Sequence, residues 1–318
     1  MTVLVLLDHA PSGELRPAVP DLLALARTLD PAVDGVWVGG APVPLDALAG
    51  LTRVHRVSTA DDEHLAPVVA AALAAVLEAT DAAVVLAAST FENKDVAAQL
   101  GVALRAGVVT DADAVAVEGG QVVAGKTVLA GTWTTRSRVV SPVAIVLVKP
   151  GAGASDEPAA AGGAPEVVEH ALAPVPTAAR IDVVERTERA GSGRPDLASA
   201  QVVIVGGRGT EGDFGPLEEL ADLLGAAIGA TRVATDEGWI ARDAQIGQTG
   251  VTVAPRLYVG AGVSGAVHHR GGMQAAGTVV AVNNDPDAPI FEIADFGVVG
   301  DLFAVLPQLT SELRRLRG

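Results

Sequence analysis

Apolar runs of strand length, each followed by a stretch with helical spacing, organise this chain. In the first half the strand-length runs are Val3–Leu7, Val33–Val38, Arg53–Val57 and Ala83–Ala87. The spacing predicts helices near Ala18–Leu29, Leu45–Gly50, Glu63–Leu77 and Asn93–Leu104, the last with Val96, Leu100 and Leu104 on one face. Short apolar strands separated by helices predict a parallel sheet covered on both faces. The pattern then changes to β-branched strands with little helix between them: Ala114–Glu118, Gln121–Leu129, Thr132–Val140 and Ala144–Val148. These are expected to form an antiparallel appendage or an extension of the sheet. Residues 150–165 carry no apolar period and are expected to be a mobile loop. The extended segments Glu166–Leu172 and Arg180–Glu188 are expected to return to the first sheet.

Gly191-Ser192-Gly193-Arg194-Pro195 punctuates the chain and sets a boundary between a first domain, 1–192, and a second, 193–318. The second half restarts the alternation with strands Val202–Val205, Ala227–Arg232, Leu257–Val259, Thr278–Val282 and Ile290–Ile293, most followed by helix. Leu302, Leu306, Leu309, Leu313 and Leu316 mark a final helical stretch, with Pro307 expected to divide it into two helices. The fold class is therefore α/β, with two domains that are each an open, mostly parallel sheet flanked by helices.

Composition narrows the function. Hydrophobic residues make up 49% of 318, mostly Ala, Val and Leu, and aromatics only 3%, which suits tight α/β packing. A net charge of −16 argues against a nucleic-acid binder, which needs a basic footprint. With no cysteine, disulfides, zinc-thiolate sites and iron–sulfur clusters are excluded within the chain. The chain opens directly on a strand, and the apolar stretch Ala66–Ala88 divides into a helix and a buried strand around Glu78 and Asp81. A soluble, cytoplasmic protein that is not embedded in a membrane is expected. The histidines at 9, 55, 64 and 170 show no metal-ligand spacing, and no metal site is expected.

The candidate chemistry lies in the second half. Val202–Val205 runs into Gly206-Gly207-Arg208-Gly209 and then a leucine-bearing helix, a geometry that offers N–H groups and a guanidinium to a phosphate; an ordinary tight turn with Arg208 solvated reads equally well. Gly260–Gly265 matches G-x-G-x-x-G with Asp285 about twenty residues on, a form that points to NAD, although it follows the third strand of its domain rather than the first. Thr231-Arg232, the loop Gln245-Ile246-Gly247-Gln248-Thr249-Gly250, and Ser264-Gly265-Ala266-Val267-His268-His269 bring cation, hydroxyl, amide and imidazole into one half-domain. A reduced flavin carries negative charge along one ring edge, so permanent charge on Arg232, switchable charge on His269 and the Thr249 hydroxyl suit it. Asn283, before Asp285-Pro286, reads either as an adenosine contact or as an Asx–Pro turn. No nucleophile elbow or P-loop lysine motif is present, so no catalytic residue is assigned.

These segments resemble the alpha subunit of electron transfer flavoprotein. The resemblance is carried by Gly206–Gly209, Gly229–Arg232, Gln245–Gly250, Ser264–Met273, Asn283–Phe291, Ala294–Gly297 and Asp301–Phe303, in order and with spacing kept. The first domain resembles the family more loosely, through its opening strand, Gly13-Glu14-Leu15 and Lys94-Asp95. The resemblance implies a heterodimer with a beta subunit that carries AMP, and FAD held by a Rossmann-like second domain. It also implies electron shuttling from acyl-CoA dehydrogenase-type donors, as in fatty acid β-oxidation, to a quinone reductase-type acceptor. Carried over by residue, Arg208 and Ser264 are pyrophosphate-side contacts, Arg232 lies near the ring, Thr249 at N5 with Gln248 beside it, and His269 at the O2 edge. Asn283 and Asp301 fall on the adenosine side, and Thr231 keeps the hydroxyl of the family's usual Ser. Val251 replaces a common Lys, His268 a common Gln, and Trp239 stands near a common Phe.

The leading expectation is thus an electron carrier without a substrate-transforming site of its own, working through an anionic flavin semiquinone. The alternatives are an NAD-dependent oxidoreductase using Gly260–Gly265, and a non-redox nucleotide-binding scaffold.

Overall fold

The computed structural model describes residues 2–129, 133–149, 151–152, 163–185, 193–198 and 200–317. The chain divides into two compact units, one of Met1–Thr127 with Thr134–Thr187, the other of Val128–Trp133 with Glu188–Gly318.

The first unit opens with β1 (Thr2–Leu6), α1 (Ala18–Leu29), β2 (Val33–Val38), a 3-10 turn at Leu45–Leu48 in place of the expected helix, and β3 (Arg53–Ser58). It continues through α2 (Ala66–Glu78), β4 (Ala82–Ala88), α3 (Phe91–Leu104), β5 (Gly107–Ala112), β6 (Ala114–Glu118), β7 (Gln121–Val128), β8 (Trp133–Arg138), β9 (Ala144–Val148) and β10 (Glu166–Ala171). Seven strands form one parallel sheet in the order β10-β3-β2-β1-β4-β9-β5. Its strands are apolar on both faces because both are covered. Val3, Val5 and Leu7 pack with Leu22 and Leu23 of α1, while Leu4 and Leu6 pack with Leu73 and Val76 of α2 and Leu100 of α3. Each fully buried leucine contributes about 2 kcal/mol by transfer alone. Thr90 starts α3 by accepting from the Asn93 N–H, and Pro67 sits in the first turn of α2.

Of the two readings open for Ala144–Val148, the sheet holds and the appendage does not: β9 is fully buried between β4 and β5, as its unbroken apolar run AIVLV requires. Only β6, β7 and β8 make the separate three-stranded sheet, with β6 and β7 antiparallel. Glu166–Ala171 does return to the first sheet, pairing with β3, but described residues 181–185 form no strand. The loop expected over 150–165 lies outside the described residues apart from 151–152 and 163–165, and residues 191–192 at the expected domain boundary also lie outside them.

The second unit runs β11 (Val202–Gly206), α4 (Gly215–Leu224), β12 (Ala227–Ala230), α5 (Arg232–Asp236), β13 (Leu257–Ala261), α6 (Val267–Arg270), β14 (Thr278–Asn283), β15 (Phe296–Val299) and α7 (Leu302–Arg317). Its five strands are parallel in the order β12-β11-β13-β14-β15. The strand expected at Ile290–Ile293 is instead a 3-10 turn, Pro289–Glu292, because Pro289 presets a helical φ at its start. The fifth strand is β15, exposed along its whole length at the sheet margin. Arg232 does not end a strand; it opens α5 after Thr231. The final leucines lie on one helix rather than two, with Pro307 inside it. Pro307 removes a single backbone bond, which the burial of Leu302 and Leu306 against α4 and the sheet outweighs.

Candidate functional site

In the second unit the strand order reverses between β11 and β13, and ligands of open parallel sheets bind beyond the carboxyl ends of strands at such a reversal. The two turns that leave these strands touch backbone to backbone. The Gly209 N–H donates to the Gly262 carbonyl at 3.1 Å, and a Cβ on Gly209 would stand 2.8 Å from the Gly262 Cα. Gly262 has φ +63, a conformation L side chains rarely adopt. Arg208 projects from this seam, exposed, with no ion pair or side-chain hydrogen bond to any described residue. Ser264 is also exposed; its carbonyl accepts from the Ile290 N–H at 3.0 Å, with Gly265 at φ +81 against that backbone.

The loop Gln245–Gly250 is held by bonds on three sides. The Ile246 N–H donates to Ala230, the Gln248 N–H donates to His268, and the Val251 N–H returns to Gln245. Gln245 is buried, its amide donating to the Thr249 hydroxyl at 3.0 Å and its Oε1 accepting from Thr235 at 3.1 Å. Gln248 and Thr249 face solvent, as do Ala266, Val267 and His268, while Gly247 is buried and Gly250 partly so. Thr231 precedes α5 and donates its N–H to the Gly206 carbonyl. Arg232 is 70% exposed and is not a free cation: its Nε donates to Asp236 Oδ2 at 3.1 Å, and Arg242 shares the same carboxylate.

His269 is buried, with both ring nitrogens engaged. Its Nδ1 lies 3.0 Å from the Ile246 carbonyl and its Nε2 2.7 Å from the Tyr258 hydroxyl. A carbonyl can only accept, so Nδ1 carries the proton and Nε2 accepts from the tyrosine. Burial pushes the imidazole pKa down to about 4, against a smaller upward pull from the Ile246 carbonyl. His269 is therefore neutral near pH 7, and the switchable charge expected of it is absent; it bolts the Gln245–Gly250 loop to β13. Sequence reasoning missed Tyr258, although the chain's only tyrosine, set within an apolar strand, was a visible signal.

Asn283 and Asp301 hold the far side together. The Asn283 amide donates to the Val263 carbonyl at 2.8 Å and its Oδ1 accepts from the Asp285 N–H at 3.0 Å, while Asp301 caps α7 by accepting from Phe303. Asn283 thus makes the Asx turn. Asp285, the acidic residue of the NAD reading, likewise accepts from the Asp287 N–H.

The first unit has its own reversal, between β1 and β4, and it is filled by the chain itself. Asn93 donates to Asp8 Oδ2 at 2.7 Å and to the Ala88 carbonyl at 3.1 Å. Burial pushes the Asp8 carboxyl up to about 6, only partly opposed by the Asn93 bond. Because the native pKa lies above the unfolded one, Asp8 favours the fold most in acid, and that contribution is lost as pH rises through 6. Asp8→Asn is accordingly expected to stabilise this unit by about 2 kcal/mol at pH 7.5 and to flatten its stability between pH 4 and 6. Thermal unfolding against pH checks it, and a lower melting temperature at pH 7.5 would refute it.

Among the described residues, no cluster of His, Asp and Glu could hold a metal ion, and no helix is long and apolar enough to cross a membrane. Residues 3–175 match the electron transfer flavoprotein domain, and residues 196–274 match the electron transfer flavoprotein FAD-binding domain. The chain is 40% identical over 322 residues to the electron transfer flavoprotein subunit alpha of Mycobacterium leprae, covering 99% of both chains. It is 35% identical over 321 residues to that of Bacillus subtilis, covering 98% of this chain and 97% of the relative. The chain belongs to the alpha-subunit family of electron transfer flavoproteins, and the FAD-binding match, residues 196–274, lies within its second unit.

Proposed function

We propose that this chain carries electrons on FAD held beyond the carboxyl ends of β11, β13 and β14, as one half of a heterodimer. Arg208, exposed beside the glycine seam and without an ion pair to any described residue, carries the reading: a cation at a reversal point suits a pyrophosphate. Arg208 and Ser264, with Gly265, would hold that pyrophosphate. Thr231, Arg232, Gln245–Gly250 and Ala266–His269 would border the ring, and Asn283 and Asp301 would shape the adenosine side through the turn and cap they make. FAD supplies a ring that takes up and releases electrons; the chain's part is to bind, orient and compensate charge. With His269 neutral, compensation of ring charge would fall to Arg232, whose guanidinium also bonds Asp236.

The partner is the beta subunit, expected to hold AMP. Acyl-CoA dehydrogenase-type proteins would donate electrons singly, a quinone reductase-type protein would accept them, and the setting would be fatty acid β-oxidation in the cytoplasm. In this reading the chain works as a carrier rather than on a substrate of its own. Removing a charge-assisted phosphate contact should weaken retention about tenfold in Arg208→Ala. Equilibrium dialysis of the heterodimer, followed by flavin absorbance, reads this directly. Undiminished FAD affinity would count against the pyrophosphate assignment.

A further inference from the structure

At one margin of the first sheet, β10 pairs with β3 on a single side. Three ionisable side chains line up there across β2, β3 and β10. Asp34 of β2 is fully buried, and its Oδ2 lies 3.3 Å from His55 Nε2. His55 of β3 is buried too, and its Nδ1 lies 2.9 Å from Nε2 of the partly buried His170 on β10. A carboxylate oxygen only accepts, so Nε2 of His55 carries the proton facing Asp34 and Nδ1 is left to meet His170.

Two facing ring nitrogens hold one proton between them. With both imidazoles neutral, His170 donates and His55 accepts. One added proton leaves that bond in place and makes it charge-assisted. A second makes both facing nitrogens donors, so the bond is lost and two like charges meet across it. The charged groups around the pair are few. Arg53 Nε lies 3.3 Å from the same Asp34 oxygen, and Arg56 pairs with Glu169 of β10 at 3.7 Å. Glu166 of β10 is exposed, and α2, which packs with Val36 and Val57 on this face, has Glu78 at its last position as its one charged residue. Burial pushes the His170 imidazole below the ordinary 6.5, His55 adds to this and Glu169 opposes it. A depressed native pKa means that the bond's contribution is whole above 6.5 and is lost as pH falls.

Little else ties β10 down. Besides its ladder with β3, it has the Ser58 hydroxyl donating to the His170 carbonyl at 3.1 Å and the Arg56–Glu169 pair at the surface. Beyond it, Leu172 and Val175 pack with Val68 of α2 and hold the next stretch of chain.

We infer that the His55–His170 pair is a proton-operated latch: acid frees β10 from β3 while the rest of the first sheet stays closed. Its opening uncovers the main-chain groups along β3, so that this margin of the sheet depends on pH. The freed strand leaves two imidazoles that each take a proton, against one for the latched pair. Opening should therefore become about tenfold easier for each pH unit below 6.5.

Hydrogen exchange of the full chain between pH 7.5 and 5 tests this, read as protection factors so that the intrinsic pH dependence of exchange drops out. Amides of β10 should lose protection about tenfold per pH unit below 6.5, while those of β1 and β4 keep theirs. His170→Gln, which does not titrate, should abolish the loss, and Glu169→Gln should retain it. The imidazole ¹⁵N resonances of the unmodified chain need no variant: His55 and His170 should titrate in two separate steps, the second coinciding with the loss of protection. Level protection in β10 down to pH 5 would overturn the latch, as would a loss shared equally by β1 and β4. A loss that survives in His170→Gln, or one that vanishes in Glu169→Gln, would overturn it as well.

Discussion

Gly207→Ala is expected to destabilise the second unit by about 3 kcal/mol or more and to strip it of FAD. Gly207 adopts φ −109 and ψ −161, extended backbone open to any residue, so the penalty is steric and not conformational. A Cβ there would be driven into the Gly262 carbonyl and the backbone of Val263, neither of which can rotate away. The turns after β11 and β13 would be forced apart at the reversal point. Gly225→Ala is the matched comparison: Gly225 has φ +62 but nothing within 4 Å of an added Cβ, and a cost of about 1 kcal/mol is expected there. Thermal unfolding and flavin content of both variants decide the matter. Equal destabilisation would mean that contact between the turns is not what builds the site.

The second large effect concerns Tyr258 and His269. In Tyr258→Phe the imidazole Nε2 is left buried without a donor, which should cost about 2 kcal/mol. The same imidazole predicts a pH dependence. Its native pKa of about 4 lies below the ordinary histidine value of 6.5, so between these limits the unfolded chain binds a proton that the native chain refuses. Stability of the second unit should therefore fall by about 3 kcal/mol as pH drops from 6.5 to 4, and be level above 7. His269→Gln should remove that slope, whereas Tyr258→Phe should keep it. Hydrogen exchange at the amides of β13 and β14 follows this unit by itself, and an unchanged slope in His269→Gln would exclude the imidazole as its source.

The parts of this fold legible in the sequence are those whose burial leaves an unbroken apolar signature. β1, β2, β3 and β4 fall within a residue or two of their expected bounds, because each is buried on both faces of the sheet, as does α1, which buries one face. What escaped notice lies at margins. β5 carries Thr110 and Asp111 and sits at an edge, and β15 combines Gly297 with full exposure, so neither has a core-facing pattern to read. At Pro289–Glu292 the apolar pair Ile290 and Phe291 imitated a strand, and only Pro289 hinted otherwise. In the candidate site the loops were legible from glycine and hydroxyl spacing, but the pairings were not. That Arg232 is bound by Asp236, or that His269 is neutral, depends on contacts made in three dimensions.

The outermost strand of the second sheet has a practical bearing on handling the chain. β15 presents Phe296 at 66% and Val299 at 59% exposure, on a strand only four residues long and free along its outer side. Brevity limits how many main-chain bonds a stray neighbour could form, yet the aromatic ring and valines make that rim adhesive. Concentrated stocks of the protein would begin to clump from this margin, ahead of any loss of the packed interior.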